Sequence, residues 1–155
     1  MSPLRATLAA LALAAAVLLP GMARAQTCWV TLGPTIAFGV YDPGAAGTND
    51  TTGTFSYSCS SARARPVIIW LSTGNGGSFN PRRMSKGADT LDYNLFSDSL
   101  RQVIWGDGTG GSQVFSSAPS GNTHGDTLTI YGRIGTGLWV APGSYTDSIT
   151  VTLNF

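Results

Sequence analysis

Glutamate is missing from this chain: all eight of its acidic residues are aspartates, and histidine occurs once. A lone histidine, His124, leaves imidazole acid–base chemistry a single candidate. No G-x-S-x-G elbow accompanies it, so a Ser–His–Asp arrangement has no sequence support beyond the abundance of serine that polar strand faces show anyway. Paired-carboxylate hydrolysis needs two acids converging in one cleft with separated pKa values. Asp42, Asp50, Asp107 and Asp126 instead stand beside proline, asparagine or glycine, where Asx-turn chemistry accounts for them. "WGDGTGGSQ" matches neither an EF-hand loop nor the RTX nonapeptide, so calcium is not implied. Helix-favouring stretches, internal repeats and linkers are also missing after the N-terminal region. Beyond that region nothing approaches the roughly 18 consecutive apolar residues of a membrane helix.

The N-terminal region has its own pattern. Arg5 precedes an apolar run from Ala6 to Leu19, followed by Pro20 and Ala23-Arg24-Ala25: a charged start, a hydrophobic stretch and a small-residue cleavage site. The expectation is a secretory signal over residues 1–25 and a mature chain over 26–155, about 130 residues and so a single domain. Taking Arg5 and Arg24 from the nine basic residues leaves seven against eight aspartates. This near balance implies neither a nucleic acid nor an anionic membrane as partner.

Both cysteines, Cys28 and Cys59, survive that cleavage into an oxidising compartment, where the even count argues for one disulfide with only one possible pairing. Two sulfurs and one distant histidine make a poor zinc site, and no metal is expected.

Short β-rich runs separated by turn residues recur roughly every 8 to 15 positions, the pattern of a sandwich or barrel. The expected strands are 28–32, 36–41, 52–59, 67–72, 91–96, 103–105, 113–115, 127–134 and 145–155. Parity places Phe55, Tyr57 and Cys59 on one face and Cys28, Val30 and Leu32 on one face, so the disulfide points into the core. "PVIIWL" is apolar on both parities and should lie centrally with both faces covered, with Trp70 in the core. Pro142-Gly143 fits a type II turn, and "SSAPSGNTHGD" (116–126) reads as an exposed loop. Arg82, Arg83 and Lys86 read as a solvated loop in which one arginine bonds backbone carbonyls. Trp139, close to the Pro142-Gly143 turn, is the tryptophan held back as a surface contact. The closing "YTDSITVTLNF" puts Tyr145, Ile149, Val151, Leu153 and Phe155 on one face, with an aspartate in the same row, and threonine, serine and asparagine on the other.

Several strings point further. "FGVYDPG" (38–44), "RRM" (82–84), "LDYNLFSD" (91–98), "WGDGTGG" (105–111), "YGRI" (131–134) and "PGSYTDSITVTLNF" (142–155) resemble the spore coat protein U domain, which also occurs in archaic, Csu-type chaperone-usher pilins. The resemblance runs in order through nearly the whole mature chain. It implies an all-β fold: an incomplete immunoglobulin-like sandwich with one disulfide, built as a non-enzymatic structural subunit without cofactor. It also implies export through the periplasm to the cell surface, as part of a pilus or coat, with a periplasmic chaperone, an outer-membrane usher and neighbouring subunits as partners. In such subunits a missing strand is supplied by another chain through β-augmentation. By that analogy Tyr145, Ile149, Val151, Leu153 and Phe155 line the core beside the acceptor edge. Cleavage after Ala25 would leave only Gln26 and Thr27 before Cys28, a reach of about 7 Å against the roughly 17–20 Å of an ordinary strand. The expectation is therefore an acceptor that does not donate: a terminal subunit, or a coat component outside a fibre. Its alternatives are a tip module recognising a surface or glycan, and a sandwich completed by its own loops.

Overall fold

A computed structural model describes residues 26–60, 66–117 and 123–155, with the side chains of Thr123 and His124 left out. The expected leader, the middle of the expected 116–126 loop and the His124 imidazole therefore lie outside the described residues. Among the described residues all regular elements are strands: β1 (Thr27–Leu32), β2 (Asn49–Ser60), β3 (Ile68–Leu71), β4 (Arg82–Lys86), β5 (Asp89–Phe96), β6 (Phe115–Ser116), β7 (Thr123–Ile134) and β8 (Val151–Asn154). They form a five-stranded sheet in the order β1-β2-β7-β5-β4 and a three-stranded sheet in the order β6-β3-β8.

Alternation sets the layers. β2 and β7 pair along their whole lengths, Asn49 opposite Ile134 and Ser60 opposite Thr123. Phe55, Tyr57 and Cys59 of β2, Leu128, Ile130 and Ile134 of β7, and Leu91, Tyr93 and Leu95 of β5 send their side chains into one buried layer. Val67, Ile69 and Leu71 close that layer from the smaller sheet. Trp105 is sealed among them, its indole N–H donating to Ile69 O at 3.1 Å and its ring tilted on Phe55 at 5.7 Å. A buried indole needs such a partner. Cys28 stands directly opposite Cys59 in the β1–β2 ladder, and the two are bridged.

Several elements depart from the sequence reading. Residues 36–41 form no strand. They cross the inner face of the larger sheet as irregular chain, held by Thr51 Oγ1 donating to Ala37 O (2.8 Å) and Asn49 Nδ2 donating to Val40 O (3.0 Å). Ile36 lies over Gly53, and Phe38 over Gly132, where a Cβ would come within 2.9 Å of its ring. The two glycines provide the close approach that this crossing needs. The basic Arg82–Lys86 stretch is a strand, not a loop, although Arg82 does bond backbone carbonyls. Trp70 is only half-buried, because β3 is central in its sheet but its outer face is partly open; Trp105 takes the core place instead. Residues 103–105 contribute isolated bridges at Ile104 and Trp105. Gly143 has φ of 150°, which is not the second corner of a type II turn. Residues 123–126, assigned to a loop, extend β7, so the backbone of His124 lies opposite Cys59.

Candidate functional site: the open flank of the sandwich

Among the described residues five strands face three, so part of the larger sheet's inner face has no described strand opposite it. The shortfall falls at β1. Its inward residues Val30 and Leu32 are exposed, Leu32 by 68%, although their β2 partners Tyr57 and Phe55 are buried. A groove of about 360 Å³ opens beside them. One wall is Leu32, Ile36 and Phe38, the other is Tyr145, Asp147 and Ile149, and Tyr93 and Leu95 line it between.

The C-terminal segment forming the second wall was expected as one continuous strand over 145–155. Only Val151–Asn154 is strand, paired with β3. Further back the segment belongs to the other sheet: Ser85 N–H donates to Thr146 O (2.8 Å) and Thr146 N–H donates to Ser85 O (3.1 Å). By Thr150 it has changed partner, its carbonyl accepting from Ser72 N–H at 3.0 Å. The chain thus crosses from the β4 edge to the β3 edge within a few residues, and no single ladder can run through such a corner. Tyr145, Ile149, Val151 and Leu153 pack against the core but remain half-buried, and Phe155 is 47% exposed rather than lining it.

Backbone direction along this segment follows from the same bonds. Thr146 and Thr150 use their N–H and C=O groups toward β4 and β3, so the intervening odd-numbered residues present theirs to the other side. Among the described residues, no backbone partner meets Asp147 or Ile149 there. An unpaired edge thus borders a half-covered apolar row. From Asp147 to Leu153 its six residue steps, at about 3.4 Å each, reach at most about 20 Å.

Asp147 is the residue that sequence reasoning passed over. It sits in the inward row, and its signal was visible there: a carboxylate on the apolar parity. Oδ2 accepts from the Tyr93 hydroxyl at 2.7 Å, and Oδ1 accepts from the Asn75 and Ser148 N–H groups, each at 2.7 Å. Burial pushes the Tyr93 phenol up, and the hydrogen bond to Asp147 pushes it the same way, so Tyr93 stays a donor. Arg82 is buried nearby but bonds Ser72 O, Asn94 Oδ1 and Trp105 O, not Asp147. Burial lowers its guanidinium to about 10, which leaves it charged at neutral pH.

The other candidates are spread across the molecule. Trp139 is 80% exposed in the stretch between β7 and the C-terminal segment, beside Leu138, whose N–H donates to the Tyr41 hydroxyl at 2.9 Å. Asp42 and Asp107 make the Asx turns expected of them, accepting from Gly44 N–H (2.8 Å) and Thr109 N–H (2.9 Å). Asp50 is no turn residue: it lies in β2 and holds Arg133 through two bonds of 2.7 and 2.8 Å, which depress its carboxyl.

Comparison with known proteins agrees with this architecture. The profile of the Spore Coat Protein U domain matches residues 13–152. The chain belongs to that family. Protein U of Myxococcus xanthus is 31% identical to it over 137 residues, covering 79% of this chain and 73% of that protein. Among solved structures, a chain of the CsuC-CsuE chaperone-tip adhesion subunit pre-assembly complex, from the archaic chaperone-usher Csu pili of Acinetobacter baumannii, superposes with a TM-score of 0.58 at 20% identity. The match covers 84% of this chain but only 40% of that one, and the likeness is one of fold. This spore coat U domain is thus an all-β, pilin-like sandwich with one disulfide.

Proposed function

We propose that this protein is an exported, non-enzymatic structural subunit of a cell-surface appendage or coat, and that it accepts a strand from another polypeptide along the open edge of its C-terminal segment. The observation that carries the proposal is the coincidence of an unpaired backbone edge, a half-buried apolar row and a groove on one flank. An exposed edge over an apolar groove is an aggregation hazard unless something covers it. Main-chain bonds from an added strand would supply affinity, and its alternate side chains, filling the groove, would set register. The partners this reading names are a periplasmic chaperone, an outer-membrane usher and neighbouring subunits. Family membership and the fold shared with a chaperone–subunit complex support it.

The test is to extend the chain past Phe155 with a turn and an alternating apolar strand, and to compare it with the unextended chain after periplasmic expression. The extended chain should be the more soluble and should unfold at a midpoint about 10 °C higher, and its intact mass also reads the cleavage expected after Ala25. An unextended chain that is already a stable, unaggregated monomer, and gains nothing from the extension, would refute strand acceptance.

A second reading, a tip module that contacts a surface or glycan, is favoured by one observation, the exposure of Trp139. An exposed indole offers an apolar face with a polar N–H, the kind of group that stacks on a sugar or a partner surface. On this reading Trp139→Ala lowers retention in a surface-adhesion assay or on a glycan array about tenfold while the unfolding midpoint stays put; equal retention removes it.

A further inference from the structure

The inward row of the C-terminal segment is apolar at Tyr145, Ile149, Val151 and Leu153 and charged at Asp147. Its carboxylate has three neutral donors, and among the described residues it makes no ion pair. Arg82, the buried cation nearby, spends its guanidinium on Ser72 O, Trp105 O and Asn94 Oδ1. A carboxylate offers about four acceptor positions, so one remains open here.

Seating a strand on the open edge changes the surroundings of that carboxylate more than those of its neighbours. Asp147 presents its backbone groups to the open side, so an antiparallel strand would place one residue directly across from it. That residue's side chain would fall on the same inward face, with Cβ atoms about 4.5–5.5 Å apart. At the apolar positions of the row an aliphatic neighbour adds burial. At Asp147 it would strip water from a charged group and return no hydrogen bond, and an acidic neighbour would add repulsion.

Building on the strand-acceptance reading above, we infer that the strand which fills this groove carries a basic side chain, lysine or arginine, at the single inward position opposite Asp147, between apolar residues on either side. The pair also fixes register. A slip of two residues sets the cation against Tyr145 or Ile149 and an aliphatic against the carboxylate, so the misregistered complex loses on both counts. One polar position in an otherwise apolar seam serves the same purpose in coiled coils.

The test uses the extended chain described above, with one lysine moved through successive inward positions of the added strand, and glutamate at each in turn as the counterpart. At one position alone, lysine should favour the folded state over glutamate by about tenfold in the unfolding equilibrium constant, and Asp147→Asn in the same two chains should cut that ratio to about twofold or less. Lysine and glutamate behaving alike at every position, in chains that the added strand does stabilise, would overturn the inference and leave strand acceptance standing. If no extension stabilises the chain, strand acceptance falls, and the inference falls with it.

Discussion

Arg82→Met should destabilise the protein by about 3–5 kcal/mol, more than any other single substitution considered above. Arg82 is 0% exposed. Its Nε and Nη2 both donate to Ser72 O (3.0 and 2.9 Å), Nη2 donates also to Trp105 O (2.6 Å), and Nη1 donates to Asn94 Oδ1 (2.9 Å). Methionine fills most of the volume but leaves Trp105 O and the partly buried Ser72 O without these donors and Asn94 Oδ1 with the Leu95 N–H alone, so a desolvation penalty is felt at the orphaned carbonyls. The fork also joins the chain leaving β3, at Ser72, to β5 and to the Trp105 bridge, so its loss loosens the corner where the two sheets meet. Arg82→Lys keeps the charge but cannot reach all of these acceptors, and should recover less than half of the loss. Urea denaturation measures both variants. An unchanged slope with a lowered midpoint is expected, and a loss for Arg82→Met below about 1 kcal/mol would show that the fork contributes little.

Opening the disulfide ranks second. With a sequence separation of 31 between Cys28 and Cys59, the closed loop corresponds to about 3–4 kcal/mol of chain-entropy stabilisation. Cys28→Ser should lower the melting midpoint by about 10 °C, and reducing agent should do the same to the unmodified protein. The effect should be localised as well. β1 is an edge strand paired only with β2, and apart from half-buried Cys28 all its residues are exposed, so the cross-link is its main anchor to the core. Amide exchange in β1 should therefore accelerate far more than in β2, which keeps its long ladder with β7. A melting midpoint indifferent to reductant would mean that the bridge does not form in the folded protein.

Much of the architecture was legible from alternation alone. β1, β2, β5 and β7 fall within a few residues of their expected places, because each reads as a half-buried strand with a polar outer face. The inward parity of Phe55, Tyr57 and Cys59 was correct, and so was the pairing of the cysteines. The misses share a cause. Arg82–Lys86 carries charge on both parities and looks like a loop, and only the carbonyls waiting in the interior make its first arginine a core residue. Residues 36–41 have a strand's composition but cross the sheet without joining it, over two glycines far away in sequence. Trp105 rather than Trp70 is the sealed tryptophan for a similar reason: burial of a tryptophan depends on what stands opposite, which a local window does not contain.

The chain's alternation and its family strings pointed by themselves to an all-β sandwich, since each of these signals is written within a few neighbouring residues, and its two cysteines, 31 positions apart, left a single pairing for one cross-link. Which strand lies beside which was decided only by the tertiary structure. It turned the closing segment from β4 to β3, left its outer edge without a partner and set Asp147 on the wall of the groove. Those outcomes depend on contacts between residues far apart in the sequence, where the period of two that governs a strand's faces has no say in the choice of neighbour.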